Sequence, residues 1–230
     1  MSAAIPSFVD LRSFVAGLPP ADAAVPVRRL LPLPQGPASV GALHLGAGRH
    51  EEVVDADEFV IVHEGRVVLA SDGAEVALGP GDSAVIRSGT RLHWQADAPV
   101  ALSFMRYRAP ADAAGIVGID YQAELSPSGA PLAELLTTPT PSCRNYTDYR
   151  SGDGEFMCGT WDSTPYARKP MRYRHHELMH LLEGEVAFVD AAGNAATFRR
   201  GDIFLVPQGA ECSWDSAVHV RKVYAIWRPA

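Results

Sequence analysis

Glu177 and Lys222 are the residues of this sequence whose types and positions most directly invite chemistry. Val218, Val220, Tyr224 and Ile226 repeat an apolar or aromatic side chain at every second position, the period of a strand with one buried face. Lys222 falls in that phase, so its ammonium is predicted to point inward. The same period around Glu177 takes His175, Met179 and Leu181 inward and sends His176 and His180 outward. On a third run, Cys212 and Trp214 share the inner face. The spacing therefore predicts a pocket with Glu177, Lys222 and His175 as candidate catalytic groups. Tyr173, Cys212, Trp214, Trp161 and Tyr224 are the candidate ligand contacts. A buried carboxylate and ammonium can bind a small polar molecule or exchange protons, because burial and pairing move their pKa values. The simpler alternative is a core ion pair with no further role.

The elements that must hold these residues read as mostly β. Ser7 to Leu18 has helical spacing at Phe8, Leu11, Phe14, Val15 and Leu18, with Ser7 and Asp10 as a capping pair and Pro19-Pro20 as the stop. From about Val27 to Tyr107, short apolar runs are cut by Gly-Asp, Gly-Pro and Ser-Asp-Gly turns. From Ala109 to Pro141 the composition shifts to Ala, Pro, Ser and Thr, with room for a short helix around Pro131–Leu136. The β pattern resumes at Cys143. The predicted organisation is an N-terminal helical segment (1–26), a first barrel (27–109), a linker (110–142) and a second barrel (143–230).

The two β regions repeat each other. Glu58 stands seven residues before Gly65, and Glu177 seven before Gly184. Gly81-Asp82 and Gly201-Asp202 follow, then Gly89 and Gly209 eight residues on, then Trp94 and Trp214 five beyond. One single-residue gap, in the SDG versus DAAG hairpin, separates the two series.

These runs, EFVIVHEGRV…GPGDSAVIRSG and ELMHLLEGEV…RRGDIFLVPQG, resemble the cupin family, whose motifs are E-x6-G and G-D-x4-P-x-G. The second copy, with GTWDSTP, LLEGEV, GDIFLVPQG and VRKVY, is similar to the ureidoglycine aminohydrolase and ethanolamine-utilisation types. The resemblance implies an all-β bicupin: two tandem double-stranded β-helix barrels of the jelly-roll kind, with a short N-terminal helix. Metal-binding cupins carry H-x-H shortly before the Glu and a further His after the second motif. Here the second copy has Met171, Tyr173 and Cys212 at those places, and the first has Glu52, Val54 and Leu92. No cofactor is therefore expected. A divalent metal on His175, Glu177 and Cys212 is the sharper alternative, opposed by the positive charge of Lys222. In the first copy Leu102 replaces the lysine, and the barrel reads as structural, with Glu52 and Glu58 near its mouth. A metal on His50, Glu58 and His93 would need a one-residue register change.

The cluster Arg168, Lys169, Arg172 and Arg174 reads as a solvated strand edge, with recognition of a carboxylate at the pocket mouth as the other option. Cys143 and Cys158 read as packed thiols; Cys212 is a conceivable nucleophile if Lys222 lowers its pKa. Three cysteines read as free thiols of a reducing, cytoplasmic compartment. Asp10 and Arg12 interrupt the N-terminal apolar run, against a signal peptide, and no run approaches about 18 apolar residues, against a membrane span. A net charge of -7 without a basic block argues against nucleic acid. The expected partner is a small polar metabolite, and covering the exposed strand edges suggests a homodimer. Whether the protein turns its ligand over is left open. A hydrolase, isomerase or lyase, a metal-dependent ureide aminohydrolase, a metabolite sensor and an accessory protein all suit this reading.

Overall fold

The computed structural model describes residues 7–19, 25–108 and 113–230. Two units divide these residues. One holds the described residues through Asp10 with Asp120–Asp148 and Met157–Ala230; the other holds those of Leu11–Ile119 with Tyr149–Phe156. Each unit is a sandwich of antiparallel sheets, as the alternating apolar runs require. In the unit that carries Glu58, one sheet runs in the order Ile116–Gly118, Ser83–Ile86, Asp57–Glu64, Val100–Tyr107, Ala38–Leu45, Val27–Leu30. Its four-stranded partner runs Gly48–Val53, Arg91–Ala96, Val67–Ser71, Ala74–Leu78.

The unit that carries Glu177 repeats this order. Ile203–Val206, His176–Glu183, Val220–Trp227, Phe156–Ser163 and Cys143–Arg150 lie side by side, facing Tyr166–Arg172, Glu211–Ser216, Glu185–Val189 and Ala195–Arg199. Each landmark of the repeat holds the same place in its own sheet. Glu58 pairs with Ile86 and Arg106, and Glu177 with Val206 and Ile226. Between the sheets lie two apolar cores, one around Val60, Leu69, Trp94 and Phe104, the other around Met179, Phe188, Phe204 and Trp214. Gly184 illustrates the turn between motif strands: its φ is +79°, and a Cβ there would stand 2.1 Å from His219 O.

The N-terminal helix is shorter than its spacing predicts. Only Leu11–Ala16 is helical, burying Leu11 and Val15 one turn apart. Val9 and Asp10 instead pair with Leu205 and Phe204, and Phe8 packs against Phe188 and Phe198. An unpaired sheet edge offers hydrogen bonds that outweigh one further helical turn. The linker is not structureless either: Ile116–Gly118 and Ser126–Ser128 each add an edge strand, and Ala133–Leu135 forms one 3-10 turn. No helix among the described residues is long and apolar enough to cross a membrane.

Candidate functional site

The His176–Glu183 strand alternates as its sequence demands, and its inner face carries Glu177, Met179 and Leu181 against Ile226, Tyr224 and Lys222 of the neighbouring strand. Lys222 does not stand opposite Glu177. Its side chain runs along the inner face, donating to Met179 Sδ at 3.2 Å and to Glu177 Oε1 at 2.8 Å. Two indoles wall the ammonium. Nζ lies 4.7 Å from the Trp161 ring centroid and 5.0 Å from that of Trp214, and the rings meet edge-on at 86°. Their negative π faces stabilise a cation with little water around it. The pair retains slight access to solvent, with side-chain exposures of 7% for Lys222 and 10% for Glu177.

His175 completes this group. Its Nε2 stands 3.3 Å from Glu177 Oε2, and its ring lies 5.2 Å from that of Tyr173. Burial alone would push the Glu177 carboxyl up; the Lys222 charge, helped by His175, overrides it and holds the group well below the usual carboxylate range. Glu177 is thus ionised at neutral pH. The structure brings Glu177, Lys222, His175, Trp161 and Trp214 together, with Tyr173 beside His175. Tyr224 shares the inner face, but its hydroxyl pairs with Thr147 at 2.9 Å across Gly159. Val218, which the two-residue period takes inward, precedes the strand and is exposed. His176 and His180 lie on the opposite face as expected, yet both are buried.

Arg168 corrects the sequence reading. It is buried, not a solvated edge residue: Nη1 donates to Cys212 O at 2.9 Å and Nη2 to Tyr173 Oη at 2.8 Å. The cause is a bulge. Arg168 pairs with Trp214 and Met171 with Cys212, so Lys169 and Pro170 together take the place of one residue. Pro170, which cannot join the hydrogen-bond ladder, was the available signal. Tyr166 was missed for the same reason; it stacks on Trp214 at 5.6 Å and 13°. Cys212 is also not the activated thiol considered above. Burial pushes it up to about 11, with Arg168 opposing and Asp190 and Glu177 adding, so it stays protonated.

The donor set does not fit a divalent metal. One Glu177 oxygen accepts from Lys222 and the other faces His175, while Cys212 is a neutral thiol. Among the described residues no group of three His, Cys, Asp or Glu is arranged to hold an ion. The other barrel fills its inner face differently. Arg28 Nε donates to Glu58 Oε1 at 2.9 Å and Nη2 to Glu52 Oε1 at 2.8 Å, while Trp94 Nε1 also donates to Glu52. Arg106 approaches Glu58 from the next strand at 3.3 Å. The expected acids are present, but an arginine bridges them. No register change occurs: Leu92 is inward opposite Glu52, and His93 stands outside beside Glu51, so His50, Glu58 and His93 do not converge.

A family model for the EutQ-like cupin domain matches residues 33–103 and 150–224. The chain is a cupin. It is 32% identical to a DUF861-family protein of unknown function from Pseudomonas syringae pv. tomato, with 90% of each chain covered and a TM-score of 0.82. The bicupin fold also aligns with a cupin 2 conserved barrel domain protein from Leptotrichia buccalis (10% identity, 99% and 100% covered, TM-score 0.66). A salicylate 1,2-dioxygenase from Pseudoaminobacter salicylatoxidans shares the fold at 15% identity, with 98% and 83% covered and a TM-score of 0.60. A search of curated proteins gave no match.

Proposed function

We propose that the second barrel of this cupin binds a small polar metabolite beside Lys222, Glu177 and His175, and that these groups can move protons to and from it. The observation that carries this reading is the Lys222 ammonium, held 2.8 Å from Glu177 between two indole faces. A core pair needs no such walls. An aromatic-lined, nearly dry cation beside an ionised carboxylate suits recognition of a polar group. In this reading Lys222 donates a hydrogen bond to an oxygen of the ligand. Glu177 accepts, His175 sets the second carboxylate oxygen, and Trp161 and Trp214 exclude water. Proton transfer of this kind belongs to isomerase, lyase or hydrolase chemistry without a metal.

A thermal-shift and calorimetric screen of ureides, amino acids and sugar acids tests the proposal on the full chain. At least one compound should bind, and Lys222→Met should abolish its binding while the protein stays folded by circular dichroism. Binding that survives Lys222→Met unchanged would remove the site from this barrel.

A further inference from the structure

Among the described residues, Arg28, Arg106 and Lys222 are interior cations paired with carboxylates. Arg28 bridges Glu52 and Glu58, Arg106 reaches Asp55 and Glu58, and Lys222 holds Glu177. Arg168 has no such partner. It is 6% exposed, and its guanidinium lies 5.4 Å from the Tyr173 ring centroid. Nη1 donates to Lys169 O at 3.3 Å and Cys212 O at 2.9 Å, Nη2 donates to Tyr173 Oη at 2.8 Å, and the Tyr166 hydroxyl stands alongside. All of these are neutral. Among the described residues no carboxylate forms an ion pair with Arg168, and Glu177, on the other sheet of the same barrel, is engaged by Lys222 and His175.

A buried guanidinium without a counter-charge is costly, and carbonyls and one aromatic face offset only part of that cost. Arg168 also stands opposite Trp214 in the strand pairing, and Trp214 is the indole over which Lys222 lies. Lys222 lies over Trp214 and the Arg168 guanidinium over Tyr173, so the interior of this barrel holds two cations against the single carboxylate of Glu177. We infer that Arg168 anchors a carboxylate of the ligand, so that the second barrel takes a small organic acid in preference to a neutral ureide or sugar. The assignment rests on the pocket reading above and names the substrate class for it. A planar fork of donors suits a carboxylate better than any neutral group, and its charged hydrogen bonds are roughly twice as strong as neutral ones. With its carboxylate on Arg168, the ligand extends past Trp214 towards Lys222 and Glu177.

Formate and acetate, tested against formamide and acetamide, isolate the charge from the shape. On the full chain the acids should raise the melting midpoint and the amides should not. Arg168→Met should weaken apparent acid binding by about tenfold or more and erase the preference over amides. Arg168→Lys, which keeps the charge and loses the fork, should retain a reduced preference; it carries the comparison if Arg168→Met does not fold. Acids and amides acting alike on the wild type, or an Arg168→Met protein that still prefers acids, would overturn the assignment. If Lys222→Met abolishes ligand binding while neither Arg168 substitution matters, the pocket stands and the carboxylate anchor falls. If none of the three substitutions matters, both fall.

Discussion

Lys222 Nζ meets Glu177 Oε1 at 2.8 Å although neither residue is the other's cross-strand partner: Lys222 stands opposite Leu181 and Glu177 opposite Ile226. The contact is made by the length of the lysine stem, which lies over Met179. Such a pair is worth little as a net contribution, since desolvation offsets most of the attraction. Breaking it from one side is another matter. Glu177→Leu alone should destabilise by about 3–5 kcal/mol, because it strands a buried ammonium, and the double variant Glu177→Leu/Lys222→Met should cost less than Glu177→Leu. Denaturant midpoints of the four proteins give the coupling. Additive losses would mean that the ammonium finds other partners.

The stability of this protein should fall in two steps as the pH is lowered, and His176 accounts for the first. Gln208 N donates to His176 Nδ1 at 3.0 Å, so the ring is held neutral as an acceptor. Burial, with the neighbouring His175 adding to it, lowers its pKa from 6.5 to about 4. Between those values the unfolded chain binds more protons than the folded one, so stability falls as the pH falls. The contribution is complete above the unfolded value, 6.5, and up to about 3 kcal/mol is lost on reaching the folded one. His176→Asn keeps an acceptor for Gln208 and should flatten the urea midpoint across this window. A wild-type midpoint already flat there would contradict it. Glu177, depressed in the folded state, adds a second loss at still lower pH.

Metal content is a direct check on the donor set. Met171 and Tyr173 stand where the family's ligating histidines would be, and Cys212 is a protonated thiol. Purified protein should hold well under one equivalent of zinc, manganese, iron or nickel by elemental analysis, and chelator should leave the melting midpoint unchanged. A stoichiometric ion that survives dialysis would restore the metal-dependent reading.

The arginine of the other barrel has its own signature. Glu58 is fully buried, and Arg28 supplies two of its hydrogen bonds. Arg28→Ala should cost about 2–3 kcal/mol, less than a fully stranded charge because Arg106 still stands 3.3 Å from Glu58, and adding Glu58→Gln should recover part of that by removing a buried charge left with one partner. Thermal or urea melts of the two variants settle the order; a double variant weaker than Arg28→Ala would oppose it.

Much of this architecture was legible because the repeat is written in turns and alternation. The Gly-Asp and Trp landmarks showed that one β unit is duplicated, and the two-residue period alone carried Lys222 and Glu177 to one face. Arg168 was not legible by the same rule. Counting back from Tyr173 in twos puts Lys169 inward, and only the bulge at Lys169-Pro170 reverses that phase. Arg28 escaped notice because it lies upstream of the family motif, in a strand of four residues whose polar pair, Arg28-Arg29, reads as surface. The Ser7–Leu18 spacing suits a helix, and local periodicity carries no record of the distant edge at Leu205 that claims Val9.

Arg28 has a consequence for how many ligands one chain can hold. A cation tethered to the barrel by its own strand is present at a local concentration that no free metabolite can match. The two acids of that barrel are therefore permanently saturated from within, while the acid of its twin shares its interior with a guanidinium that still lacks a counter-ion. On the proposed reading only the second barrel takes a ligand, so a calorimetric titration should reach its plateau at one equivalent per chain, with no second and weaker phase.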